Sequence, residues 1–156
     1  MRHLGYVIAD EPTPGRLERF AVNPVFPLLA TMMTTTLFGM GWFVLNSFAL
    51  GSTRKAREFA YVAAGVLGYA ALIAGFATLH WKGIISDATE YYCVQLVLAW
   101  KLLFAYWLQE SQSLSFEIFQ HYGGKPARGF MALIAAFVLR MFVRDWIPDE
   151  WLMVLA

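Results

Sequence analysis

The stretch FAYVAAGVLGYAALIAGFATLHW, Phe59 to Trp81, contains no charged residue and is bounded by Glu58 and Lys82. An α-helix rises 1.5 Å per residue, so a run of this length covers the ~30 Å hydrocarbon core of a bilayer. Its end, His80 and Trp81 followed by Lys82, is built from amphipathic types favoured at the membrane–water interface. The run reads as a transmembrane helix, and the rest of the chain is read outward from it.

Composition points the same way. Of the 156 residues, 59% are apolar and 15% charged, whereas soluble domains run at about 45–50% and about 25%. A single domain is expected, and the loops between spans are too short for a separate soluble catalytic unit. With 12 basic against 11 acidic residues the net charge is +1, which lacks the concentrated positive field of a nucleic-acid binder. Cys93 is the single cysteine, so no intrachain disulfide forms, and it reads as a small buried hydrophobe.

Upstream of the decisive run, no charge occurs between Arg19 and Arg54, which predicts a first span over about 24–50. An alternative is a re-entrant segment that dips in and returns near Gly39 and Gly41. Downstream, Ser86, Asp87 and Glu90 form a helix-start signal that opens a third span over about 90–109, leaving the membrane at Glu110 and the polar stretch Ser111 to Ser115. A fourth span is expected over about 129–144, with Arg140 near its end. Residues 1–22 mix Arg2, Arg16 and Arg19 with Asp10, Glu11, Glu18, Pro12 and Pro14; they lack a secretory-signal pattern and read as a polar lead-in that stays on the protein. Residues 146–156 form a tail expected to lie along the interface. The expected fold is an all-α membrane protein, an antiparallel bundle of four transmembrane helices with short loops, within residues 23–145.

Orientation depends on the first segment. With four full spans, Arg2, Arg16, Arg19, Lys82, Arg140 and Arg144 face Arg54, Lys55, Arg57, Lys125 and Arg128, a balance that decides nothing. If the first segment is re-entrant, only Lys82, Arg140 and Arg144 remain on the minority side, a clear asymmetry for the positive-inside rule.

Lys101 is the most informative single residue. A charge near the bilayer centre costs on the order of 2.5–3.5 kcal/mol on insertion scales. Glu110 lies roughly 13 Å further along the helix, about twice the reach of a lysine stem. Lys101 is therefore expected at a helix contact or in a polar cavity, with Gln95 on the same helix, a backbone carbonyl or a partner protein as its neighbour. Arg140, one turn before Arg144, is placed to snorkel to the headgroups. Thr31, Thr34, Thr35, Thr36 and Asn46 supply hydroxyls and an amide for bonds across helices or back onto a carbonyl, with a polar pore lining as the alternative. Ala60, Ala64, Gly68, Ala71 and Gly75 recur on one face of the second span, a small-residue surface for close approach of another helix of this chain or of a second protomer.

Catalysis and metal binding find no foothold. His80, Asp87 and Glu90 are the nearest approach to a cluster, and helix capping and interfacial position account for them. No enzyme activity, metal or cofactor is expected. Asn46-Ser47-Phe48-Ala49-Leu50-Gly51 followed by Arg54 and Ala56, and His121-Tyr122-Gly123-Gly124 followed by Arg128, resemble a pattern in small uncharacterised multi-pass inner-membrane proteins of gammaproteobacteria. The resemblance implies a bacterial inner-membrane setting and no known activity; the aromatic content of 17% departs from it. The expectation is a non-catalytic protein that recognises a partner in the bilayer, such as an immunity-type protein against a pore-forming toxin or an accessory subunit. The alternative is a homo-oligomeric channel or small transporter with Lys101 and the threonine-rich first span lining a polar path.

Overall fold

The computed structural model describes residues 17–144; most of the lead-in and the whole expected tail lie outside the described residues. A short 3-10 turn, Glu18–Phe20, precedes five α-helices: α1 (Val25–Met33), α2 (Thr36–Ala49), α3 (Lys55–Trp81), α4 (Asp87–His121) and α5 (Gly129–Arg144). Among the described residues there is no strand, and α3 and α4 are long and apolar enough to cross a membrane.

The segment 24–50 is not one straight helix. The chain reverses at Thr34 and Thr35, and α1 folds back against α2. A β-carbon added at Gly39 would lie 2.6 Å from the backbone nitrogen and Cα of Thr31, although residues eight apart in a continuous helix are separated by about 12 Å. At the open end of this hairpin the Val22 amide donates to Asn46 Oδ1 at 2.9 Å. Helices of 9 and 14 residues reach only about 13 and about 21 Å, short of the hydrocarbon thickness. The reversal thus precedes Gly39 and Gly41. Gly39 is the point where the two legs touch, and Gly41 faces open space.

Threonine chemistry explains where the break falls. The hydroxyl of Thr31 donates to the Pro27 carbonyl (2.9 Å) and that of Thr34 to the Ala30 carbonyl (2.6 Å), bonds that compete with the amide ladder. Thr35 is extended, and its hydroxyl accepts the Phe38 amide at 3.2 Å, which caps α2. Three β-branched residues in succession, Thr34 to Thr36, add poor helix propensity.

α4 is longer than expected, running through Ser111–Ser115 to His121. Serine and glutamine weaken a helix without breaking it. The stripe Phe104, Ala105, Leu108, Gln112, Phe116 and Phe119 stays buried at helical spacing across that stretch. Gly123, at φ 85°, then turns the chain, and the Gly124 amide closes onto the Phe119 carbonyl at 3.0 Å.

α3 and α4 pack antiparallel through glycine. A β-carbon at Gly65 would meet Phe104 at 3.1 Å, and one at Gly68 would collide with the Trp100 ring; Trp100 Nε1 donates to the Gly65 carbonyl at 3.3 Å. α2 adds Met40 and Phe43 to a core with Phe104, Ala105 and Leu108. α5 runs parallel to α1, with Gly129 against the Phe26 ring at one end and Arg140 reaching Met33 at the other. Ala21, Ala49, Leu50, Phe116 and Phe119 close the hairpin's open end, hereafter the base, and the turn after α3 lies at the far end.

Gly39→Ala is expected to lower stability by about 1–3 kcal/mol, because Thr31 backbone cannot yield to the new methyl. Gly41→Ala, in exposed helix, should raise it by about 0.5–1 kcal/mol. Thermal unfolding in detergent checks the pair, and a continuous helix over 24–50 would predict a gain for both.

Candidate functional site

Two buried polar clusters occupy the two ends of the hairpin. At the base, α2 carries Asn46, α3 carries Glu58 in its first turn, α4 carries Gln112, and the α2–α3 connection carries Ser52. Their relative exposures are 1%, 2%, 0% and 4%. Gln112 Oε1 accepts from Asn46 Nδ2 at 2.9 Å, while Gln112 Nε2 donates to the Phe43 carbonyl at 2.8 Å and to Glu58 Oε2 at 3.1 Å. Glu58 Oε1 accepts the Ser52 hydroxyl at 2.6 Å and, more weakly, the Ser111 hydroxyl at 3.5 Å. Ser52 Oγ in turn accepts the Arg54 amide at 3.1 Å. Each bond polarises the next, and a buried group left unpaired would cost about 1–3 kcal/mol.

At the apex, Arg140 of α5 donates to the carbonyls of Met33 and Thr34 at 2.7 and 3.0 Å. These are orphaned acceptors at the C-terminus of α1, where a cation is also favoured by the helix dipole. Spacing placed Arg140 to snorkel outward; it instead reaches the backbone carbonyls that end α1, which a reversing chain leaves without helical partners. Lys101 of α4 is 4% exposed and has Arg140 in its neighbourhood. Thr36 lies beside the Tyr69 hydroxyl, which places the apex about half-way along α3.

Asn46, Thr34, Thr35 and Lys101, expected to be polar contacts, and Arg140, expected as such a contact or as a snorkelling side chain, therefore belong to the hairpin and its supports. Gln95 does not. It is exposed on α4, and six positions along a helix turn it about 240° away from Lys101. On the small-residue face of α3, Gly68 packs against Trp100. Ala60, Ala64, Ala71 and Gly75 are exposed, and Gly75 has nothing within 4 Å of its added β-carbon. Close helix packing falls instead to Gly65, absent from that set. His80 Nδ1 and Glu90 Oε2 approach to 3.8 Å between exposed side chains, and among the described residues no group of three metal-type side chains converges.

Glu58, Gln112 and Ser52 were missed by sequence reasoning, which used Glu58 as the boundary of a span, placed Gln112 in a polar exit stretch and did not single out Ser52. The signal for Gln112 was present: it continues the apolar stripe of α4, four positions after Leu108 and four before Phe116.

No protein-family model, no curated protein and no solved structure matches this chain.

Gln112→Leu should lower stability by at least about 2 kcal/mol, since it strands Asn46 Nδ2 and Glu58 Oε2 together. Gln95→Leu should stay within about 0.5 kcal/mol of the parent. Unfolding in detergent distinguishes them, and equal effects would contradict the assigned network.

Proposed function

We propose that this chain is a non-catalytic, multi-pass protein of the bacterial inner membrane that recognises a partner protein within the bilayer, as an immunity-type protein against a pore-forming toxin or as an accessory subunit of a membrane complex. The observation that carries this reading is the small-residue face of α3, of which Ala60, Ala64, Ala71 and Gly75 stay exposed among the described residues. Helices in lipid gain little from hydrophobic burial, and they associate where small side chains let backbones approach. Ala60, Ala64, Ala71 and Gly75 supply such a surface on the outside of the protein, whereas Asn46, Glu58 and Gln112 are bonded to one another in the interior.

The channel or transporter reading has less support. Its threonines are committed to local structure, with Thr31 and Thr34 bonded to carbonyls of their own helix and Thr35 capping α2. Thr34 itself is buried.

The hairpin also favours one orientation. Arg19, Arg54, Lys55, Arg57, Lys125 and Arg128 lie toward the base, and Lys82 follows α3 at the far end. The positive-inside rule then puts the base in the cytoplasm.

Two experiments in a Cys93→Ser background test the reading. Ala64→Cys should give a discrete crosslinked species in native membranes, lost when Gly75→Leu is added, while the stability of the exposed-site variants stays within about 0.5 kcal/mol; absence of any discrete species removes the partner. Ile84→Cys should react with an impermeant maleimide in intact cells and Thr53→Cys only after permeabilisation, and the reverse pattern would invert the topology.

A further inference from the structure

At the base, α3 and α4 flank an open groove of about 680 Å³, within the size range of small-ligand sites. Arg54 and Arg57 line it from the α3 side, Glu110 and Glu117 from the α4 side. Tyr61 and Trp107 complete it, their ring centroids 5.8 Å apart.

Two observations make this more than a mixed-charge surface. First, the arginines and glutamates share the groove without pairing: among the described residues no ion pair within 4.0 Å links them. Second, Arg57 is held in place by the groove itself. Its Nε donates to the Tyr61 hydroxyl at 2.7 Å, and its guanidinium lies 5.3 Å from that ring. Among the described residues that bond engages Nε alone, which leaves the terminal N–H groups for an anion such as phosphate.

Position narrows the ligand. The groove sits where the uncharged run of α3 begins at Phe59 and where the apolar part of α4 gives way to Glu110. On the membrane reading proposed above, on which this inference rests, that is headgroup depth, and Tyr61 and Trp107 are the types that settle there. We propose that the groove binds the headgroup of phosphatidylethanolamine. The phosphate meets Arg54 and Arg57, the primary ammonium meets Glu110 and Glu117, and the glycerol end lies against Tyr61 and Trp107. Both charges and the ammonium N–H donors are needed. Phosphatidylcholine carries a quaternary nitrogen with no N–H to donate, and phosphatidylglycerol brings no cation to the two carboxylates.

The test uses the full chain, purified in mild detergent and mixed with equal amounts of the three lipids, with retained lipid read by native mass spectrometry. Phosphatidylethanolamine should be retained with about tenfold preference over each of the others, the ratio that one charge-assisted contact of about 1.4 kcal/mol produces. The Arg54→Gln/Arg57→Gln double variant should lose most phosphatidylethanolamine and phosphatidylglycerol alike. Glu110→Gln/Glu117→Gln should remove the preference between those two while phosphate-dependent retention remains. All four side chains are exposed, and unchanged helical circular dichroism verifies that the variants fold. Equal retention of the three lipids, no retention, or full retention by the arginine double variant overturns the site. Displacement of the lipid by equimolar soluble glycerophosphoethanolamine overturns the lipid as its ligand. The crosslink at Ala64→Cys is independent: if it fails while lipid preference holds, only the partner reading falls, and the converse removes only this site.

Discussion

The carboxamide of Gln112 joins three helices at one point: its oxygen is taken by Asn46 of α2, and its nitrogen is divided between the Phe43 carbonyl of α2 and the carboxyl of Glu58 on α3. Gln112 belongs to α4, so this single side chain fixes the position of the hairpin against the antiparallel pair. Such directional contacts carry more weight here than in a soluble bundle. If the outer faces of α3 and α4 meet lipid, apolar side chains gain little by moving from lipid to a neighbouring helix. Register must then come from geometry. Polar bonds supply it at the base, and glycine contacts supply it along the legs, at Gly39 on Thr31 and at Gly65 and Gly68 on the α4 aromatics.

The apex poses the opposite problem. A chain that reverses exposes carbonyls that a continuous helix would satisfy, and a partly buried arginine needs partners for its N–H donors. The structure places these two liabilities against each other. Arg140 bonds the Met33 and Thr34 carbonyls, and the C-terminal dipole of α1 adds favourable charge. Base and apex are thus satisfied by different means, neutral amides and an acid at one end and a cation on bare carbonyls at the other. The hairpin needs both, because α1 has too few turns to be stable alone.

What could be read from the sequence follows from what hydropathy measures. α3 was legible because its length and lack of charge are sufficient for a membrane-spanning helix. The first segment was not, because two short apolar helices joined at Thr34 and Thr35 have the same average hydropathy as one long helix. The difference lies in hydroxyl bonds to nearby carbonyls and in a contact between Thr31 and Gly39 that exists only after folding. Gln112 was hidden for a related reason: three serines around it make Ser111 to Ser115 read as an exit into water, yet Gln112 alone of that group is turned fully inward. Arg140 had a solvent-directed reading that local spacing supports and that only the partner carbonyls reverse.

The same geometry separates the roles of α3's faces. At about 100° per residue, Glu58, Gly65 and Tyr69, its buried residues, fall on a narrow stripe toward α2 and α4. Ala60, Ala64, Ala71 and Gly75 fall about 100–160° around the helix from Glu58, on a separate stripe. Spacing alone shows that both stripes are small or polar enough for close approach, and cannot tell which one the protein uses for its own assembly. With Gly65 and Gly68 filled by Phe104 and Trp100, the outer stripe stays exposed among the described residues. Substitutions there should then be neutral for folding, so a measurable effect on behaviour in the membrane would have to come from what the stripe meets outside the chain.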